Sequence, residues 1–336
     1  MDVRLSNEQC ALRDAVAQLV DRLGPNAVRD LDDEERARKL DAAVDAAGWR
    51  DLRAEEEAGR PWASGVEVAI VAEELAHGAA DSAFIGPVLA ADLRRRAGIA
   101  AASGRETVAF GTDLMASARA TGNVLTDPAI AVDAGESTSA LVLTDDDRLG
   151  EVPLSALERA VDLTRGVVDL AAGSTAVPLT DACPLSPDDL VQWTALGLAL
   201  TCAELVGVMR GAIRLARDHA LNRKQYDALI GSFQAVQHLL ADAHVASVGS
   251  ASIALHAAWA VDALPPAEAL AAAAAAKAYC ARAAQSVCET VIQVHGGIGN
   301  TWECMAHVYL RRALVSTDLF GGVGANLARI LEHEVF

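Results

Sequence analysis

Two short segments concentrate the side chains suited to ligand chemistry. The first is Arg223-Lys-Gln-Tyr-Asp-Ala-Leu-Ile-Gly-Ser-Phe-Gln-Ala-Val-Gln-His238. A helix runs into it, a Gly-Ser pair punctuates it, and a second helix begins near Ser232 with Phe233, Val236 and Leu240 on its buried face. The turn therefore gathers Arg223, Gln225, Gln234 and Gln237 near one corner. Such a corner can hold a pyrophosphate, because fixed donors and a helix N-terminus all favour negative charge. The same residue types also make an ordinary polar turn between helices. The second segment is Gln293-Val-His-Gly-Gly-Ile-Gly-Asn-Thr-Trp-Glu303. Its glycines stop the preceding helix, expose backbone N–H groups and let a planar or phosphorylated ligand approach the main chain. Asn300 and Glu303 resemble the cap and third position of a following helix. A plain helix–turn–helix is the other reading, with His295 a satisfied turn histidine. No second ligand stands at metal spacing on its helix, so no metal is expected there.

These corners need a scaffold, and the 336-residue chain has the material for one. It is 52% hydrophobic and 22% charged, enough for two or three packed units around a substantial core. A net charge of −18 repels nucleic acid and anionic membrane, so neither is an expected partner. No run of about 18 uninterrupted apolar residues and no basic leader with an apolar core is present, which points to a cytoplasmic protein. The six cysteines lack any Cys-x-x-Cys pair and read as reduced core residues.

The expected fold is mainly α with a small central β domain. An N-terminal helical domain covers 1–105, a short β-sheet domain 106–185 and a C-terminal four-helix bundle 186–336. Ser6 with Gln9 forms a capping box, and Leu12, Val16, Leu19 and Leu23 make the first apolar stripe, stopped by Gly24-Pro25. A second helix ends near Gly48, a third carries Val66, Ile70 and Leu75, and a fourth lies around Val88 to Arg96, where three arginines mark a solvated end. Thr107–Phe110 and Ala140–Thr144 have strand character between turn signals. Helical segments return at 189–221, 232–260, 266–294 and 301–314, with the Ala-rich stretch 269–276 read as a tightly packed helix.

Taken together, the two segments resemble the C-terminal domain of the acyl-CoA dehydrogenase family. The likeness rests on Arg223-Lys-Gln-Tyr, Ile230-Gly-Ser-Phe-Gln, Gln293-Val-His-Gly-Gly-Ile-Gly and Tyr309-Leu-Arg-Arg312, and is strong over about 189–320. The resemblance implies FAD, reached across a subunit interface by the first segment and contacted at its adenine end by the second. It assigns Arg223, Phe233, Gln234, Gln293, His295, Gly296 and Gly297 to FAD binding, with Gln225 and Tyr226 beside them.

The resemblance also implies a glutamate that takes the α-proton of an acyl-CoA while hydride leaves the β-carbon. Counted without gaps, its commonest position holds Phe320, followed by Gly321-Gly322, and the less common one, in the helix before Arg223, holds Gly197. Neither side chain accepts a proton. The strand expected against the flavin ring is represented only by Ala109-Phe-Gly-Thr-Asp-Leu114. The chain is therefore similar to the small non-catalytic subunit of heterotetrameric, steroid-catabolic acyl-CoA dehydrogenases of actinobacteria. That similarity implies an α2β2 complex in which a catalytic partner supplies the glutamate, an acyl-CoA substrate, and an electron-transfer flavoprotein as acceptor. Two other readings stay open. One is a flavin-free scaffold that retains the family fold. The other is a self-sufficient dehydrogenase using Glu204, a carboxylate in an apolar helical face for which Arg210 or Arg214 is the expected ion-pair partner.

Overall fold

The amphipathic stripes of the N-terminal third close around a common core. In the computed structural model, which describes residues 4–332 apart from 58, 156, 158 and 159, α1 (Asn7–Leu23) starts with the Ser6 capping box. The Ser6 hydroxyl accepts from the Gln9 N–H at 3.1 Å, and the Gln9 amide accepts from the Ser6 N–H at 2.9 Å. Next come α2 (Glu34–Ala46), the short strands β1 (Glu55–Glu57) and β2 (Arg60–Pro61), α3 (Gly65–His77) and α4 (Ile85–Arg96). The arginines ending α4 are not solvated. Asp92, fully buried one turn earlier, takes Arg95 at 2.7 Å and Arg96 at 2.6 Å, while Arg53 reaches it at 3.1 Å and Arg94 pairs with Glu106. Three guanidiniums around one carboxylate make this a buried ion cluster, whose partners lie outside the arginine run itself.

The central sheet is built from β3 (Glu106–Gly111), β4 (Arg119–Thr121), β5 (Val124–Leu125), β6 (Ala129–Val132), β7 (Ser139–Thr144), β8 (Leu149–Pro153), β9 (Val168–Leu170) and β10 (Val177–Pro178). Its main path runs β10-β8-β7-β3-β6-β9, with β4 on the edge of β7 and β5 on β4. β3 pairs parallel to β7 and antiparallel to β6, so the sheet is mixed. Because side chains alternate across a strand, β3 serves two cores. Val108 and Phe110 join the helical core, whereas Ala109 joins the separate small-residue core under the sheet. That alternation sends Phe110 toward the C-terminal helices.

The C-terminal helices are α5 (Pro187–Asn222), α6 (Gln234–Ala263), α7 (Pro266–His295), α8 (Ala306–Asp318) and α9 (Val323–Glu332). Thus a fifth helix follows the four-helix bundle. The Ala-rich stretch lies within α7, where Ala269, Ala273, Ala274 and Ala276 are buried and let α7 pack closely on its neighbours. Helix α8 begins later than Asn300 and Glu303 suggested. Gly296–Asn300 forms a tight 3-10 turn, Glu303 is exposed, and the helix starts at Ala306, because a run of glycines permits the extra turn before a regular helix resumes. By length and composition α5 and α6 are each apolar enough to cross a membrane; in α5 89% of the most apolar stretch is buried inside the protein, against 39% in α6. Helix α6 therefore keeps exposed apolar side chains, Val245 and Val248 on one face and Leu239 near its start. Four cysteines are buried as core residues, but Cys183 is exposed and Cys10 half-buried, since neither falls on a core-facing position; all six are free thiols.

Candidate functional site

Both positions at which the family resemblance places a glutamate meet in space. Phe320 follows the end of α8, and Gly197 lies in α5. A Cβ built on Gly197 would sit 2.1 Å from the Phe320 ring, so the missing side chain is the room that the ring occupies. Phe110 from β3 packs edge-on to Phe320, with centroids 5.0 Å apart at 82°, and Trp193 from α5 does so at 5.4 Å and 64°. Trp193 is anchored by its indole N–H donating to the Leu89 carbonyl at 3.1 Å. Edge-to-face pairs of this kind add about 0.5–1.5 kcal/mol each beyond the area they bury. Phe320 is 1% exposed. Phe110, Trp193 and Phe320 thus form one buried aromatic cluster over Gly197.

The turn that carries Phe320 is held from several sides. Phe320 and Leu114 both have positive φ, 62° and 57°, and the Phe320 N–H donates to the Leu114 carbonyl at 2.8 Å. The Asn326 amide donates to the carbonyls of Gly321 and Gly322, and Arg329 donates to that of Phe320. Lys277 of α7, fully buried, donates to the carbonyls of Ser316 and Leu319 at 2.6 Å each and to the Thr201 hydroxyl at 3.2 Å. Its three N–H groups meet three acceptors, and its charge lies at the C-terminus of α8, where a cation is favoured. Burial lowers its pKa to about 8.

Glu204 lies seven residues beyond Gly197, two turns and about 10 Å along α5. Its partners are Arg165 and Arg312 rather than the expected Arg210 and Arg214. Arg312 donates at 2.8 and 2.7 Å, Ser316 at 2.9 Å, and Arg165 closes the network. Arg210 instead binds Glu73 and Glu74, and Arg214 faces Asp21. Burial pushes the Glu204 carboxyl up, but the two guanidiniums outweigh it and hold the pKa down to about 2. A carboxylate so paired is a poor proton acceptor at neutral pH. Asp318 is exposed at the end of α8.

The second cluster lies where α5 and α7 end. Arg223 follows the last turn of α5, its N–H donating to the His219 carbonyl at 2.8 Å, and its side chain is exposed. A two-stranded hairpin, β11 (Lys224–Gln225) and β12 (Ala228–Leu229), then leads to the start of α6. Tyr226 and Asp227 at its tip have φ of 54° and 61°, the pattern of a type I′ turn, and Tyr226 is 93% exposed. The Gln225 amide turns back to the Lys224 carbonyl. Phe233 caps α6 and Gln234 opens it, both exposed, while Gln237 folds onto the Gly231 carbonyl at 2.9 Å. At the end of α7, Gln293, Gly296 and Gly297 are exposed and His295 is buried, its Nδ1 2.7 Å from the Val291 carbonyl. The His295 ring stacks on His219 at 4.5 Å, joining the ends of α5 and α7. Residue types and periodicity alone did not single out His219, although its position one turn before Arg223 puts both on one helical face.

The backbone here is open to a ligand. Gly296 has φ +67°, and a Cβ on Gly296 or Gly297 would meet nothing within 4 Å. The aromatic cluster is the opposite case, since the Phe320 ring fills the space beside Gly197.

A mixed sheet set between helical units, followed by a bundle carrying these two segments, is the fold of the acyl-CoA dehydrogenases, and the chain belongs to that family. The family's C-terminal domain model matches residues 195–334. The acyl-CoA dehydrogenase IpdE2 of Mycobacterium tuberculosis is 31% identical, over 98% of this chain and 98% of that protein. A chain of the ChsE4–ChsE5 complex from the same organism superimposes with a TM-score of 0.83 at 26% identity, over 99% of this chain and 98% of that one. The Tcur3481–Tcur3483 steroid ACAD shares the fold with a TM-score of 0.81 at 21% identity, over 97% of each chain.

Proposed function

We propose that this chain is the non-catalytic subunit of an α2β2 FAD-dependent acyl-CoA dehydrogenase. It completes the partner's flavin site with Arg223, Gln225, Tyr226, Phe233 and Gln234, and with Gln293, His295, Gly296 and Gly297. The partner supplies the glutamate that takes the α-proton. The flavin, held by these residues, would supply the acceptor for the hydride of the CoA thioester's β-carbon, and an electron-transfer flavoprotein would be its oxidant. This chain's residues bind the dinucleotide end by charge and open backbone, and the exposed apolar face of α6 offers a surface to the partner. A steroid-derived acyl group and a cytoplasmic location complete the reading, the former supported by the structural likeness to the Tcur3481–Tcur3483 steroid ACAD.

The aromatic cluster carries the proposal: neither position holds a base, and the Phe320 ring against Gly197 leaves no room for a side chain there. The ionised, doubly paired Glu204 weighs against a self-sufficient enzyme. The test is to purify the chain alone and with the dehydrogenase-like product of an adjacent gene. The complex is expected to be yellow, with equal numbers of both subunits, and to desaturate acyl-CoA, whereas the isolated chain does not. Full turnover by the isolated chain defeats the proposal, and a colourless, inactive complex favours a flavin-free scaffold.

A further inference from the structure

His219, whose ring stacks on His295 where α5 and α7 end, has no role in the reading above. Besides its stacking partner, the charged group that acts on His219 is the Arg223 guanidinium. His295 faces it from α7 and Arg223 from the end of its own helix. The hairpin brings Lys224 and Asp227, both exposed, the 3-10 turn Ile230–Ser232 carries no charge, and α6 begins with Gln234, Gln237 and His238. Asp218, adjacent on α5, is taken by Arg217 at 2.9 Å. Among the described residues no carboxylate pairs with either imidazole.

We propose that the His219–His295 pair is a proton-coupled element of the dinucleotide site, His219 taking up a proton from solvent as the pyrophosphate binds beside Arg223. The inference rests on the proposed flavin role and deepens it. In the ligand-free corner, burial first, then His295 and Arg223, lower the His219 pKa, so the ring is neutral at pH 7. His295 Nδ1, 2.7 Å from the Val291 carbonyl, is assigned as the donor, which fixes the orientation of the ring stacked on His219. A bound pyrophosphate brings negative charge and reverses the balance of the field at His219. By linkage the coupling is reciprocal: what raises the proton affinity of His219 must also tighten dinucleotide binding as pH falls.

The test uses the co-purified complex, stripped of flavin and titrated calorimetrically with FAD at pH 7 in buffers of different ionisation enthalpy. A fraction of a proton should be taken up per FAD, and Kd should weaken about three- to tenfold from pH 6 to pH 8. His219→Gln, which keeps a planar polar group but cannot titrate, should abolish the uptake and flatten the pH dependence. FAD binding without proton uptake, or uptake unchanged in H219Q, overturns this inference alone. A complex that neither contains nor binds FAD overturns the flavin role as well. Should H219Q fail to assemble, the unmodified complex decides by NMR: a His219 titration curve unmoved by inorganic pyrophosphate overturns the inference, and an upward shift supports it.

Discussion

Gly197 and Phe320 are a matched pair, and the match makes an unusual energetic prediction. Replacing glycine by alanine inside a helix normally stabilises it by about 1 kcal/mol. At position 197 the new methyl would lie 2.1 Å from a ring atom, so Gly197→Ala should instead destabilise the protein, by about 1–3 kcal/mol. Phe320→Ala should cost about 3–5 kcal/mol through loss of the aromatic contacts and the cavity left behind. In the Phe320→Ala background, however, Gly197→Ala should become neutral or stabilising, and a denaturant double-mutant cycle reads that reversal as coupling. Additive effects would mean that the ring does not occupy the space above Gly197. Glu204 makes a second prediction, in pH. Its folded pKa of about 2 lies below the ordinary value of 4.5, so its stabilisation is complete above pH 4.5 and is lost as pH falls from there toward 2. The full span is about 3 kcal/mol. Glu204→Gln should lose about 3–5 kcal/mol at pH 7, because Arg165 and Arg312 stay buried without a counter-charge, and its urea midpoint should fall less between pH 5 and pH 3 than that of the unaltered protein.

Helix α8 ends against a buried lysine, and that contact decides where Phe320 points. In Lys277→Met the carbonyls of Ser316 and Leu319 lose their donor, at a cost of about 1–3 kcal/mol after the relief of burying a charge. Amide exchange should quicken at Phe320, whose N–H bonds to Leu114, while the middle of α5 stays protected; uniform loss of protection would assign Lys277 to general core packing instead. Little of this device was legible beforehand, for a physical reason that recurs across the chain. Apolar stripes at helical spacing placed α1, α3, α5 and α7, and alternation placed β3 and β7, because those signals lie within a single element. What sequence spacing does not carry is the partner of a polar group on another element. The three arginines ending α4 looked solvated because Glu106, Asp189 and the buried setting of Asp92 come from elsewhere in the fold. Arg210 and Arg214 were natural choices for Glu204, yet neither is three or four residues from it, and the true partners come from the loop at 165 and from α8. Phe110, Trp193 and Phe320 likewise belong to three separate stretches, so their meeting is a product of tertiary structure.

Assembly is the level at which the two corners acquire a common purpose. The aromatic cluster fills the interior next to Gly197, whereas Arg223, Tyr226, Gly296 and Gly297 are exposed, as are Val245 (70%) and Val248 (52%) on α6. On the proposed function, these outward-facing side chains would act on a ligand held by a neighbouring subunit. The charge of −18 argues that association depends on buried apolar area more than on long-range attraction between like subunits. Val245→Glu tests this directly. An exposed valine contributes little to the monomer, so its thermal midpoint should stay within about 2 °C. A charge placed in an apolar interface without a partner should weaken assembly by about 2 kcal/mol or more, roughly thirtyfold in Kd. In co-expression the partner and the flavin should therefore be lost together on size exclusion, although Arg223 and the glycine turn are untouched. Retention of a full flavin complement by the Val245→Glu chain would place the partner's contact on another face of the molecule.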